Sequence, residues 1–479
     1  MALLVTATLY LLYLFHLTAT GMLGPDEPRY ASIGRAMAQS GDWVTPRLWG
    51  QAWFEKPALL YWMTAAAFRL GLSQDLAPRL PVALLSILFL LFYAWILNRE
   101  FGARAAAYAT AMLATSAGWL AFCHVGVTDL PLAATFSAAM LLTLPWIGSR
   151  DRRWLIPAAA MLALSVLAKG LVPLVLALPV AWTGRNRLRD LIAPRPVLTF
   201  TAIALPWYAL CTYRNGAPFL RTFFWEHHVA RFTSGDLQHV QPYWYYLPVL
   251  LAALFPWTPM IVVLFRRDLY RDPRALFLLL WVAFGFLFFS AAINKLPGYL
   301  LPLIPALTAL AGIALQKARI AGPLLFCSAG LLSLAPAIGL LLPEVLAGGS
   351  LRTAMRASHL SLHASVLIAV LCLAGAGAWY LERRSRDAAM ALVFVLSAGF
   401  VVYLKAAAFP ALEKAASARS LWRELRQPTG PICVGDVSRN WRYGLDYYSM
   451  APLPDCLSPD ALPAIVPGPG RPVIRYIKP

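Results

Sequence analysis

The chain has 479 residues, of which 60% are hydrophobic and only 13% charged, with 17 Trp and a mean hydropathy of +0.63. A water-soluble fold of that make-up would leave too much apolar surface exposed, so the composition points to a polytopic membrane protein. The formal net charge of +19 would suit a nucleic-acid binder, but the basic residues fall in short clusters between apolar runs, which is a topology signal and not a binding stripe.

Runs long enough to cross a bilayer, which takes about 20 apolar residues, are expected near 2–22, 79–97, 105–124, 130–147, 155–169, 171–183, 196–212, 246–265, 275–293, 299–315, 320–342, 361–381 and 388–408. That makes thirteen, the pair around 155–183 being short and divided only by Lys169-Gly170. The first run has no basic residue before it and no small-residue cleavage site after it, and is read as a retained helix. Alternate connections ("NREFGAR", "GSRDRRW", "TGRNRLRDLIAPR", "RRDLYRDPR", "QKAR", "ERRSRD") are short and hold 18 basic residues, which places them in the cytoplasm. The loops 23–78 and 213–245 and the tail 409–479 then face outward, into the periplasm of a bacterium, with the N-terminus inside. The architecture expected is an all-α membrane domain over 1–408 with surface helices in its first outer loop, followed by a small periplasmic α/β domain over 409–479. In that tail "PICVGD" and "RPVIRYI" read as strands around "SRNWRYGLDYYS".

The first loop is unusually charged. From Asp26 to Ser40-Gly41 the apolar residues Tyr30, Ile33 and Met37 recur at helical spacing, giving a short amphipathic helix whose apolar stripe is expected on the membrane surface. A second helix is expected from Pro57 to Gly71, with Tyr61 and Trp62 suited to the interface. Asp26-Glu27 and Glu55-Lys56 open the two. A carboxylate at a helix start is often only a cap or a partner of the helix dipole. Here, however, Asp129 ("GVTDLPL"), Lys169 ("LAKG") and Lys295 ("NKLPGY") mark further outer ends. Three of only seven lysines, Lys56, Lys169 and Lys295, thus sit against the positive-inside bias, and ionisable residues so placed point to function. In the loop 213–245, Glu226, His227, His228 and His239 could serve a metal or acid–base chemistry and Arg231 a phosphate, although a His pair among aromatics is more often structural.

Cys123, Cys211, Cys327 and Cys372 lie in or beside spans and behave as small hydrophobes, whereas Cys433 and Cys456 lie in the tail, where an oxidising compartment permits a disulfide and two free thiols are the alternative. There is no Walker A, GxGxxG or CxxC pattern, so no nucleotide cofactor is expected.

"DEPRYASIGRAM", "GDW", "FEKPALLYW" and "RLP", followed in order by "TDLPL", "LAKG", "FFWEHHVARF", "QPYWYYLPVLLAALFPW" and "NKLPGYLLPLIPAL", resemble the signature of GT-C type polyprenyl-phosphate-dependent glycosyltransferases. The lipid A aminoarabinose transferases and the protein O-mannosyltransferases are the members most alike, over about residues 20–310. The resemblance implies Asp26 as the central catalytic carboxylate and Arg29 and Tyr30 in the same pocket. It implies Glu55 and Lys56 as an acid able to help hold a divalent metal and a lysine on the lipid phosphate. Asp129 and Lys169 would line the cavity, joined by Lys295 of the "NKLPGY" stretch. Arg29, Arg231 and Tyr299 would meet the donor phosphate, and His227 or His228 would be a metal ligand. The implied partners are a polyprenyl-phosphate-linked sugar and a lipid A-like or other envelope acceptor. A protein hydroxyl is the alternative acceptor, and a lipid or sugar transporter the alternative class. The spans are nearly free of midplane charge and no internal repeat is seen, which disfavours transport.

Overall fold

The structure is a computed structural model that describes residues 2–230, 240–319, 321–346, 364–425, 432–457, 463–468 and 471–475. Among these, six helices are long and apolar enough to cross a membrane: Leu80–Phe101, Asp129–Ser149, Pro194–Glu226, Pro273–Ala291, Pro297–Lys317 and Arg386–Ala416. Three bent pairs bring the count to nine if each is one span: Ala103–Thr115 with Ala117–Cys123, Tyr246–Ala253 with Thr258–Phe265, and Gly322–Leu334 with Ala337–Val345, bent by 59°, 107° and 62°. The protein is thus mostly helical and multi-pass. Asp129–Ser149 and Pro297–Lys317 are enclosed by other helices, whereas Pro194–Glu226 and Arg386–Ala416 present most of their surface outward. Leu155–Lys169 and the broken pair Val172–Leu176 and Leu178–Thr183 follow the expected division at Gly170, whose φ is 81°.

Two of the bends meet. Ser116 leaves the helix in an extended conformation and Phe255-Pro256 interrupts its own, since proline has no N–H to continue it. The Ala117 N–H freed by the first break donates to the Phe255 carbonyl at the second, at 3.0 Å. Each break thereby answers the requirement that backbone groups inside a bilayer be paired within the protein.

The first helix stops well short of residue 22. It runs over Ala2–Leu9 and a wide turn at Tyr10–Leu14, after which Phe15 is extended and His16 takes φ 55°. The reason is competition for the carbonyls. Lys405 donates to the oxygens of Leu11, Leu12 and Phe15 at 2.8–3.2 Å, Arg419 to those of Thr18 and Ala19 at 3.0 and 2.9 Å, and Arg79 to those of Leu17, Thr20 and Gly21 at 2.5–3.2 Å. Three cations distant in sequence therefore replace the helical ladder. Glu27, fully buried, accepts from Arg79 Nε and Nη2 at 2.7 and 2.8 Å and from the backbone N–H groups of Leu23 and Gly126 at 2.8 and 2.9 Å. Arg419 is matched by Asp75 and Glu413, each at 2.8 Å.

The two first-loop helices form at Asp26–Ser40, closed by Gly41 in the left-handed conformation, and at Leu59–Arg69. They cross closely: a Cβ at Gly34 would lie 2.6 Å from the Thr64 methyl. The apolar stripe of the first does not lie on a membrane surface. Tyr30, Ile33 and Met37 are buried in the main core cluster with Leu60, Tyr61 and Ala65 of the second helix, and Ala31 shares a cluster with Trp441, Leu445 and Tyr447 of the tail; both partners are drier than a headgroup layer would be.

In the tail, helices Ala418–Glu424 and Arg439–Tyr448 accompany three short strands. Cys433–Val434 is parallel to Ala464–Val466, which is antiparallel to Val473–Arg475. The middle strand was not expected. Cys433 and Cys456 form a disulfide.

Removing one member of a buried, hydrogen-bonded ion pair strands the other and costs about 3–5 kcal/mol. Arg79→Gln and Glu27→Gln are each expected to lower the thermal unfolding midpoint of the detergent-solubilised protein sharply, and a midpoint unchanged in both would show that this pair does not hold the fold.

Candidate active site

A cavity of about 130 Å³ lies where the first loop meets the ends of the central helices, and Asp26, Glu55, Lys56, Asp129, Lys169 and Tyr299 all line it. They come from chain segments up to 273 residues apart (299 − 26). Tyr30, Thr128 and Asn294 add polar groups, while Leu132, Val172, Phe288 and Phe289 make an apolar wall.

Asp26 is the first residue of its helix, preceded by Pro25, and no side chain caps the helix start. Its carboxylate instead pairs with Arg29 one turn on. Arg29 reaches Glu55 at 3.2 Å with its other terminal nitrogen, and Glu55 holds Lys56 at 2.9 Å through its second oxygen. Arg29 thus ties the two acidic residues together. Its guanidinium also lies among three rings, those of Tyr30, Trp53 and Tyr443, with centroids at 5.9, 5.5 and 5.0 Å. Burial by itself would weaken its charge, but Glu55 and then Asp26 outweigh that and raise its pKa above the ordinary guanidinium value. Asp26 keeps 42% of its side chain exposed against 10% for Glu55, so Asp26 is the carboxylate that a ligand can reach.

Across the cavity, Lys169 donates to Asp129 at 2.7 Å and lies 4.9 Å from the centre of the Tyr299 ring. Lys169 ends one helix and Asp129 begins another, each at the end where the dipole favours its charge. Gly298 makes the approach possible: a Cβ there would stand 2.5 Å from the Asp129 carboxylate. Burial first, then Glu55 and Asp26, hold the Tyr30 and Tyr61 phenols well above their usual pKa, so both stay protonated.

Lys295 is not among the cavity's lining residues. Its ammonium donates to the carbonyls of Ala292 and Gln241, and its neighbour Asn294 lines the cavity in its place. Arg231 and His239 lie outside the described residues, as do the side chains of His227 and His228. Glu226 is exposed and pairs with Arg221 at 3.4 Å. Among the described residues no group of three or more His, Cys, Asp or Glu is arranged to hold a metal. The sequence reading missed Trp53 and Tyr443, whose part lies in stacking on Arg29 and leaves no charged signature.

Residues 55–209 match the family of dolichyl-phosphate-mannose-protein mannosyltransferases. The undecaprenyl phosphate-alpha-4-amino-4-deoxy-L-arabinose arabinosyl transferase of Pseudomonas aeruginosa (strain UCBPP-PA14) is 33% identical over 345 residues, 68% of this chain and 62% of its own length. That of Pectobacterium atrosepticum is 34% identical over 307 residues, 61% of this chain and 55% of its own. The crystal structure of ArnT from Cupriavidus metallidurans bound to undecaprenyl phosphate aligns with a TM-score of 0.75 at 28% identity, over 94% of this chain and 85% of that one. The chain resembles the aminoarabinose transferases in sequence and in fold. It spans less than two thirds of the length of those two curated transferases.

A cation–aromatic contact of this kind contributes about 0.5–2 kcal/mol. Tyr443→Leu is expected to speed amide hydrogen exchange across Arg439–Tyr448 and around Arg29, and Tyr443→Phe to restore wild-type exchange. Equal exchange in all three proteins would remove Tyr443 from the support of Arg29.

Proposed function

We propose that this chain is a membrane glycosyltransferase that moves a sugar from an undecaprenyl-phosphate donor to an acceptor of the bacterial envelope, with inversion at the anomeric carbon and a lipid A-like acceptor favoured. The observation that carries the reading is the convergence of Asp26, Glu55, Lys56, Asp129, Lys169 and Tyr299 on one cavity that also has an apolar wall. A polyprenyl phosphate needs both at once: an apolar path for its chain and cations for its head. The likeness to relatives named for undecaprenyl phosphate and aminoarabinose supports the donor class.

In the reaction the bond between the anomeric carbon and the phosphate oxygen breaks, and the phosphate leaves with the electron pair. Lys56 and Lys169 are placed to stabilise the charge that develops there. The acceptor oxygen forms the new bond from the opposite face, oriented by Asp26, which takes the proton if the acceptor is a hydroxyl. A phosphate acceptor needs no strong base. The match to a protein mannosyltransferase family over residues 55–209 keeps a protein hydroxyl as the second candidate acceptor. Arg29, paired with both, offsets the repulsion between Asp26 and Glu55. If a divalent metal takes part, Glu55, whose oxygens accept from Arg29 and Lys56, would help hold it and the metal would add positive charge beside the leaving phosphate.

The topology belongs to the same reading: thirteen spans, an inside N-terminus, an inner-membrane location, and residues 409–479 as a small outer domain. The 18 basic residues in alternate connections support it, and so does the disulfide, which calls for an oxidising compartment.

With radiolabelled undecaprenyl-phosphate sugars and an envelope extract in liposomes, the wild-type protein is expected to label one acceptor class. Asp26→Asn should lose about 10²- to 10⁴-fold in turnover with donor affinity kept, whereas Lys56→Met should weaken donor binding. Transfer by Asp26→Asn at the wild-type rate would sink the assignment, and label released from the liposomes without transfer would favour a transporter.

A further inference from the structure

A second cavity, of about 310 Å³, opens where the far ends of the two first-loop helices meet the tail, and it lies outside the site above. Arg35, Gln39, Phe68, Arg69, Gln74 and Met450 line it. We infer that it binds the phosphate of an anionic phospholipid headgroup, with Arg35 and Arg69 as the two cations and Gln39 and Gln74 as neutral donors.

The chemistry of the lining is one-sided: two guanidiniums, two carboxamides and no carboxylate. Arg35 is buried, with only 7% of its surface exposed, yet neither it nor Arg69 has an acidic partner within ion-pair distance among the described residues. The nearby acids are all engaged elsewhere: Asp75 by Arg419 and the Tyr448 hydroxyl, Asp42 by Arg214, Asp446 by Arg442. Burial accordingly pulls the Arg35 pKa below the ordinary guanidinium value. Both terminal nitrogens of Arg35 donate to the Tyr447 carbonyl at 3.2 Å, and one also meets the Met450 sulfur at 2.9 Å. Arg69 donates Nε to the Ala38 carbonyl at 2.7 Å. Each arginine thus touches the C-terminal end of a helix, which offers only a partial negative charge. Nε of Arg35 and both terminal nitrogens of Arg69 have no acceptor among the described residues. Such forked donors match two phosphate oxygens.

The surroundings select a lipid over a free ion. Leu70, next to Arg69, is 81% exposed, and Phe68 forms a wall of the cavity. An exposed leucine beside an arginine on a loop flanking a membrane bundle fits the boundary between acyl chains and headgroups. At that boundary basic residues meet anionic lipid phosphates.

The test uses the full chain in phosphatidylcholine nanodiscs carrying a trace of photoactivatable phosphatidylglycerol, with crosslinks mapped by mass spectrometry, so it does not depend on transferase activity. In the wild-type protein crosslinks are expected to concentrate on residues 68–74 and 447–450. Arg69→Gln should reduce them about tenfold, the loss of one charge-assisted pair, while the unfolding midpoint stays unchanged, since Arg69 is exposed and makes one backbone contact. Should Arg69→Gln misfold, Gln74→Ala is the second variant and should reduce the crosslinks as well. A photoactivatable diacylglycerol, which lacks phosphate, should not label these residues. Equal labelling of variant and wild type, or by diacylglycerol, would overturn the inference. Crosslinks spread over the chain with no concentration on 68–74 and 447–450, in a protein that still binds inorganic phosphate, would also overturn it, by assigning the cavity to the free ion.

Discussion

The architecture around the cavity depends on one buried pair, Glu27 with Arg79. A guanidinium and a carboxylate withdrawn from water are tolerable only when every remaining donor and acceptor is matched, and here they are. Glu27 takes two bonds from Arg79 and two from backbone N–H groups, and Arg79 passes its other hydrogens to the carbonyls of Leu17, Thr20 and Gly21. That arrangement pins the segment Leu17–Gly21, the start of the helix Asp26–Ser40 and the point where the span Leu80–Phe101 enters the bundle to one another. Asp26 and Glu27 are neighbours on one helical turn, about 100° apart, so anchoring one inward aims the other at the cavity.

This division of labour explains what the sequence could and could not reveal. The helix bounds near Asp26 and Gly41 and the break at Gly170 were legible from spacing and cap residues, and the gathering of Asp129, Lys169 and Tyr299 from the resemblance, because their short motifs recur in order along the chain. The partnership of Glu27 with Arg79 was not: both stand in motifs that were read, "DEP" and "RLP", but nothing local says which of two adjacent acids turns inward. Lys295 and Asn294 show the same ambiguity on a smaller scale. The early end of the first helix was hidden for another reason. Residues 15–22 are apolar enough to continue it, and only cations from residues 79, 405 and 419 take the carbonyls away.

The tail was underrated on sequence grounds. Its short strands and single disulfide look like an appendage, yet Tyr443 reaches Arg29, Tyr448 accepts from the Met22 N–H, and Arg35 binds the Tyr447 carbonyl. Among the described residues it shares a buried core with the first loop. A region that holds the ends of the first loop in register also sets how rigidly the carboxylates at its start are presented, which links the tail to the site without any contact with a ligand.

The charges around the cavity cancel: Asp26, Glu55 and Asp129 stand against Arg29, Lys56 and Lys169. An empty site of this kind exerts little pull on passing anions, since each cation is already answered by an acid within hydrogen-bond range. An arriving phosphate must compete with Glu55 for Lys56 or with Asp129 for Lys169, and a small inorganic ion brings nothing to offset that exchange. A phosphate joined to a long isoprenoid does, through the apolar wall. Under the proposed function, electroneutrality at rest would thus act as a discriminator that favours lipid-linked phosphates over free anions.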